Sequence, residues 1–134
     1  MMTFKLGGVA EAIEKLTTYG VRAVEAADAA LYMEGERIMT ISKRLVPVDT
    51  GALRSTGQVT HPEREGTSVQ VTLGYGGVAG NGENVGYALP VHENLAAHHK
   101  VGQAKYLEQP LTEETSSGRS AEAIGVFVKG SLAL

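Results

Sequence analysis

Residues 46–55 read VPVDTGALRS, and this stretch decides the fold because it separates two kinds of sequence pattern. Pro47 fixes its own φ and disfavours the helical conformation in the residue before it, so a helix arriving from the N-terminal side should end there. Asp49 and Thr50 can accept hydrogen bonds from the free N–H groups that open a new helical turn. Gly51 tolerates backbone conformations that other residues resist. The stretch therefore predicts a turn between two structural elements.

The residues before this turn favour one long amphipathic helix, and we assign residues 1–45 to it. From about Val9 to Leu45, apolar side chains recur at intervals that are multiples of three and four, which is typical of a helix. A glycine weakens a helix interior, and Gly20 falls within this pattern. The alternative is therefore two shorter helices that break near Gly20.

The residues after the turn predict a small antiparallel sheet followed by a second helix. We assign residues 46–56 to the hinge, 57–93 to the sheet, 94–105 to a loop and 106–134 to a C-terminal helix. Within the sheet, residues 68–75 alternate apolar and polar side chains, as a half-buried strand does. The segment 85–93 predicts a further strand. The expected architecture is a single α+β domain, in which the long N-terminal helix and the C-terminal helix pack on the sheet.

Composition limits the classes of protein to which this chain can belong. Its 134 residues carry a formal charge of −3, which argues against a dedicated nucleic-acid-binding protein. Cysteine is absent, so disulfides, thiolate nucleophiles and cysteine-based zinc sites are excluded. No apolar run approaches the roughly 20 residues that cross a bilayer, and the first residues lack the apolar core of a signal peptide. We expect a soluble protein that does not associate with membranes.

Four clustered residues offer the main alternative reading, a small metal-dependent hydrolase. They are His92, Glu93, His98 and His99. Their spacing does not match a two-histidine helical zinc motif, and successive residues of a strand point to opposite faces of a sheet. No nucleophile motif is present either. We therefore predict no catalytic residue, no metal and no cofactor.

The hinge stretch resembles the PVDTGxLR signature of a family of tailed-bacteriophage neck and tail-completion proteins. Two further segments are similar to that family in content and in order. Residues 87–93, YALPVHE, resemble its Tyr-Ala segment ending in an acidic residue, and residues 106–111, YLEQPL, resemble its aromatic-Leu-x-x-Pro-Leu helix start. The resemblance covers residues 29–114, most of the chain.

The resemblance implies a structural virion protein and not an enzyme. Such a protein would be assembled in the host cytoplasm into a ring at the head–tail junction, with about six subunits, or twelve as the alternative. The ring would complete or terminate the tail and join it to the capsid connector, between adjacent neck proteins and the tail tube. DNA would pass through its lumen without specific binding. A more abundant capsid or tail-tube subunit is a further alternative.

Two groups of residues are expected to serve this role. The first fixes the corner between helix and sheet, with Arg54 reaching a carboxylate of its own subunit or of a neighbour: Pro47, Asp49, Thr50, Gly51, Leu53 and Arg54. The second group lies in two polar loops and would contact neighbouring subunits or adjacent rings: Gly76, Gly77, Asn81, His98, His99 and Lys100.

Overall fold

A small antiparallel sheet packs against a long helix, and this arrangement confirms the predicted α+β class. The computed structural model describes residues 2–6, 20–47, 51–66, 68–79, 84–95 and 102–132. Strand β4 (Ser68–Tyr75) is the centre of the sheet and pairs with every other described strand. Its alternation buries Val69, Val71, Leu73 and Tyr75 on the face that meets the long helix.

The first strand corrects the assignment of residues 1–45 to a helix. Strand β1 (Met2–Leu6) pairs antiparallel with β4, so that Met2 lies opposite Tyr75 and Leu6 lies opposite Val71. Met2 and Leu6 are buried, whereas Thr3 and Lys5 are exposed. The sequence did carry a signal for this strand, because the apolar residues Met2, Phe4 and Leu6 alternate with polar residues, as in a strand with one buried face.

Helix α1 (Val21–Leu45) begins after Gly20, which has a φ of 89° and is therefore not helical. The helix therefore does not continue through Gly20, in agreement with the alternative that placed a break there. Residues 9–19, where the other helix of that alternative was expected, lie outside the described residues. The C-terminal end of α1 is at Leu45, as Pro47 predicted. One face of α1 packs on the sheet through Leu31, Ile38 and Met39. None of the described helices is long and apolar enough to cross a membrane.

The hinge contains a single helical turn, α2 (Ala52–Ser55), that leads into the next two strands of the predicted antiparallel sheet. Strands β2 (Gln58–Val59) and β3 (Glu63–Glu65) both run antiparallel to β4. The prediction of a further strand at 85–93 is wrong, because Ala88–Glu93 forms a short helix, α3. Pro90 is the third residue of α3, and a missing N–H is tolerated in a first helical turn because that group has no partner within the helix.

The C-terminal segment is two helices and not the single helix predicted over residues 106–134. They are α4 (Glu108–Ser116) and α5 (Arg119–Leu132), and Gly118 separates them with a φ of 83°. Helix α5 packs along α1, where Val128 meets Ala26 and Ala30. The C-terminal helices therefore form a layer on the helical side of the domain.

A buried ionic network holds this C-terminal layer against α1. The carboxylate of Glu34 is 3% exposed and accepts two hydrogen bonds from Arg37, at 3.0 and 2.5 Å, and a third from the hydroxyl of Ser120 at 2.8 Å. Arg37 also donates to Glu114 of α4 at 2.7 Å, and Arg119 of α5 donates to the same carboxylate at 3.1 Å. Because a buried charge is stable only when it is paired, these bonds fix the positions of α4 and α5 on α1.

The conformation of Gly51 leads to the first testable prediction. Gly51 precedes α2 with a φ of 80°, in the left-handed region that costs an L-residue about 1–2 kcal/mol. Gly51→Ala should therefore lower the free energy of unfolding by about this amount, as measured by denaturant titration. Gly125→Ala is the matched control: Gly125 is interior to α5 with open space around it, so alanine there should raise stability by about 0.5–1 kcal/mol. Shifts of the same sign in both variants would contradict this account of Gly51.

Candidate functional site at the hinge end

The candidate site is the hinge end, which we define as the end of the domain where the C-terminal ends of α1 and β4 lie. At this end Val46, Ala52 and Leu53 are buried, and Pro47 is half-buried. Asp49 and Thr50 lie outside the described residues, so the prediction that they cap the next helical turn stays a prediction. The described part of the hinge therefore contributes to the core through Val46 and Leu53.

Segment 102–106 crosses the C-terminal end of α1 and holds it in place. The backbone N–H of Gln103 donates to the carbonyl oxygen of Leu45 at 2.7 Å, which satisfies one of the carbonyls that a helix leaves free at its end. Gly102 makes this crossing possible, because a Cβ there would lie 2.5 Å from the carbonyl oxygens of Leu45 and Val46. The residues that lead into segment 106–111 are thus fixed to the end of α1 and to Val46 by backbone contacts.

A row of aromatic rings connects this crossing to the sheet. Tyr106 is fully buried and stacks edge-on against Tyr75 of β4, with ring centroids 5.1 Å apart, and against His92 of α3 at 4.9 Å. The His92 ring also lies 5.6 Å from Phe4 of β1. Each buried hydroxyl has a partner: Tyr106 donates to the carbonyl of Ala88 at 2.8 Å, and Tyr75 is hydrogen-bonded to Ser42 of α1 at 2.8 Å. Burial raises the pKa of Tyr75 to about 12.

His92 and Glu93 are hydrogen-bonded to each other, which corrects the expectation that they lie on opposite faces of a strand. Nε2 of His92 accepts the backbone N–H of Glu108 at 3.2 Å, so the proton of a neutral ring is on Nδ1, which donates to Glu93 at 2.9 Å. Lys105 binds both Glu93 and Glu108, the latter at 3.0 Å, and its own backbone N–H donates to the carbonyl of His92 at 2.7 Å. The Lys105 ammonium holds the pKa of Glu93 below its usual range, with a smaller contribution from His92.

The cluster of His92, Glu93, Lys105 and Glu108 includes residue types that bind metals, but its hydrogen bonds and ion pairs are those of a cluster that stabilises the fold. One ligand atom from each of His92, Glu93 and Glu108 lies within 4.8 Å of the others. The Lys105 ammonium already bridges the two carboxylates, and both ring nitrogens of the fully buried His92 have partners. A metal ion would have to displace a cation of the chain itself. The arrangement is therefore suited to joining α3 to the start of α4, and His98 and His99 lie outside the described residues.

Arg54 does not reach any described carboxylate, although the sequence predicted such a contact within the subunit or on a neighbour. Its Nε atom is buried and has no hydrogen-bond partner among the residues that the structure describes. The guanidinium lies close enough to the Tyr75 hydroxyl to oppose the rise in the pKa of that group. Arg54 thus carries a charge at the hinge end that no described acidic side chain neutralises.

The predicted contact loops start and end at this same end of the domain. The N–H of Gly76 donates to the Thr56 hydroxyl at 3.0 Å and Gly76 itself is buried, so it anchors its loop to α2 and does not present a contact surface. Gly77 is exposed, and its carbonyl accepts the N–H of Val85 at 2.7 Å, where the loop returns. Asn81, His98, His99 and Lys100 lie outside the described residues. The residues that flank positions 48–50, 80–83 and 96–101 therefore all belong to the hinge end.

Gln103 and Lys105 are the residues of this site that sequence reasoning missed. Lys105 has a φ of 54°, an uncommon conformation for a residue other than glycine. Their contacts join positions that are far apart along the chain, such as Gln103 with Leu45, and no local pattern reports such a contact. The only local signal was Gly102, which permits a close backbone approach.

No family model, no curated protein and no solved structure matches this chain.

The contacts of Lys105 give the second testable prediction. Lys105→Met should raise the pKa of Glu93 toward the ordinary value of about 4.3, because the ammonium is the largest cause of its lowering. The measurement is an NMR titration of the Glu93 carboxyl carbon. Lys129→Met is the control, because Lys129 is exposed on α5 and forms no ion pair with a described residue.

The same contact predicts how stability depends on pH. A carboxyl whose pKa is lowered by folding adds stability above its unfolded pKa, and this stability is lost as the pH falls through the folded pKa. The difference in stability between the wild-type chain and Lys105→Met should therefore be largest near neutral pH and should shrink below about pH 4. An unchanged pKa of Glu93 in the variant would contradict the assigned role of Lys105.

Proposed function

We propose that this chain is a structural subunit of the head–tail junction of a tailed bacteriophage. In this role it forms a ring that completes or terminates the tail, joins it to the capsid connector, and lets DNA pass. The proposal begins from the PVDTGxLR resemblance at residues 46–55, with its two accompanying segments at 87–93 and 106–111.

The observation that carries the proposal is the convergence of these three segments at the hinge end. Val46 of the first segment lies against Gly102, which comes four residues before Tyr106 of the third, and Ala88 belongs to the second. Tyr106 donates to the carbonyl of Ala88, and segment 102–106 bonds to the end of α1 next to the hinge. Segments that share one packed corner are what a fold-defining set of motifs should produce, whereas a catalytic set would converge on an open cleft.

The hinge end also has the features of an assembly surface. Two apolar side chains, Val78 and Leu95, are 70% and 75% exposed close to positions 80–83 and 96–101. A partner that covered them would remove apolar area from water. Positions for binding are commonly placed on loops that a rigid scaffold holds, and the crossing of segment 102–106 over α1 provides that scaffold.

The proposal predicts that the purified chain forms a closed ring. Native mass spectrometry should find a discrete species of about six or twelve copies of the 14.1 kDa chain, because a heterologous contact closes at a fixed number of subunits. Negative-stain images of the same species should show a central opening wide enough for duplex DNA. A chain that stays monomeric at every concentration tested would contradict the proposal.

A further inference from the structure

Three cations at the hinge end have no ion-pair partner among the described residues. They are Lys43 and Arg44 in the last turn of α1, and Arg54 in α2. The side chain of Lys43 lies against Gly57, the second residue after α2, so Lys43 and Arg54 occupy the same corner. The side chain of Arg54 is half-buried, and its inner Nε atom has no hydrogen-bond acceptor among the described residues. Because that atom is buried, a carboxylate from outside would bind the guanidinium through the part of the side chain that remains accessible.

Strand β3 carries the complementary charge. Glu63 and Glu65 are exposed, and neither forms an ion pair with a described residue. Between them, Arg64 points to the helix side of the sheet, where it binds Asp28 of α1 at 2.6 Å. Because successive residues of a strand point to opposite faces, Glu63 and Glu65 share the face that points away from α1. Two like charges about 7 Å apart repel each other until cations approach them.

The two charged groups lie at opposite ends of the domain. Strand β3 pairs with Ser68, Val69 and Gln70 at the start of β4, whereas the hinge end lies beside Tyr75 at its end. Asp28 of α1 contacts β3, and Ser42 of α1 contacts Tyr75. These two residues are 14 positions apart, and a helix rises 1.5 Å per residue, so the two ends of the domain are about 21 Å apart along α1. The cations and carboxylates of one copy therefore cannot neutralise each other, but those of two copies can.

We propose that the hinge-end cations Arg54, Lys43 and Arg44 bind the Glu63 and Glu65 carboxylates of a second copy of this chain. The guanidinium of Arg54 would form charge-assisted hydrogen bonds to a carboxylate, and Lys43 and Arg44 would supply further positive charge. Because each copy offers one cationic end and one acidic end, the contact is head-to-tail, and a head-to-tail contact that closes generates a ring. This inference rests on the proposed function and names the interface that would build the ring.

A charge-reversal experiment with rescue tests this interface. Arg54→Glu alone, and the double variant Glu63→Arg with Glu65→Arg alone, should each raise the concentration at which half of the chains are in rings by at least about tenfold, as measured by sedimentation velocity. The triple variant that combines all three changes should return this concentration to within about threefold of wild type. Lys129→Glu is the control for a charge reversal at an exposed residue that belongs to neither group, and it should leave assembly unchanged.

The outcomes separate the inference from the proposed function. A wild-type chain that forms no ring contradicts both. Rings that form normally in the two single-end variants, or a triple variant that shows no rescue, overturn the inference and leave the proposed function standing. If Arg54→Glu retains rings but loses binding to a duplex DNA oligonucleotide, the hinge-end cations bind phosphate and the inference is wrong. Circular dichroism shows whether each variant folds. If Arg54→Glu does not fold, the variant Glu63→Arg with Glu65→Arg still tests the contact, because it changes only the other end of the domain.

Discussion

The structure depends on the point where segment 102–106 crosses the C-terminal end of α1. The Gln103 N–H satisfies the Leu45 carbonyl, and Gly102 lies so close to the backbone of Leu45 and Val46 that no side chain fits between them. From this crossing, Tyr106 packs against Tyr75 of β4 and His92 of α3, so helix, sheet and hinge share one contact region. The described residues of the hinge consequently form a fixed corner.

Polar contacts complete this corner on two sides. The ion pairs of Lys105 join the end of α3 to the start of α4, and the Glu34–Arg37–Glu114 network joins α4 and α5 to α1. The ionic side chains of both groups are paired with one another, whereas Arg54, Glu63 and Glu65 form no ion pair with a described residue. The distinction between paired and unpaired charges therefore separates the interactions that build the domain from those available to a second copy. The ring subunit that we propose requires both kinds of contact.

Local chemistry was sufficient to predict part of this fold. Pro47 correctly placed the end of α1, the alternation of residues 68–75 predicted β4, and Gly51 has the left-handed conformation that its position in the hinge suggested. The errors arose where distant contacts decide the structure. Strand β1 forms because Met2–Leu6 pairs with residues about 70 positions away, and α3 forms where an alternating apolar pattern favoured a strand. The contacts of Gln103 and Lys105 at the candidate site are likewise set by packing, so no sequence interval reports them.

Amide hydrogen exchange measures the central claim directly, because it reports how often each backbone hydrogen bond opens. If the crossing over α1 is part of the core, the amides of Gln103 and Lys105 should exchange only with global unfolding, at a protection close to that of Val71 and Leu73 in β4. Their partners are the carbonyls of Leu45 and His92. Exchange of Gln103 and Lys105 at the rate of unprotected amides, while β4 stays protected, would show that the crossing opens independently and would contradict this account of the hinge.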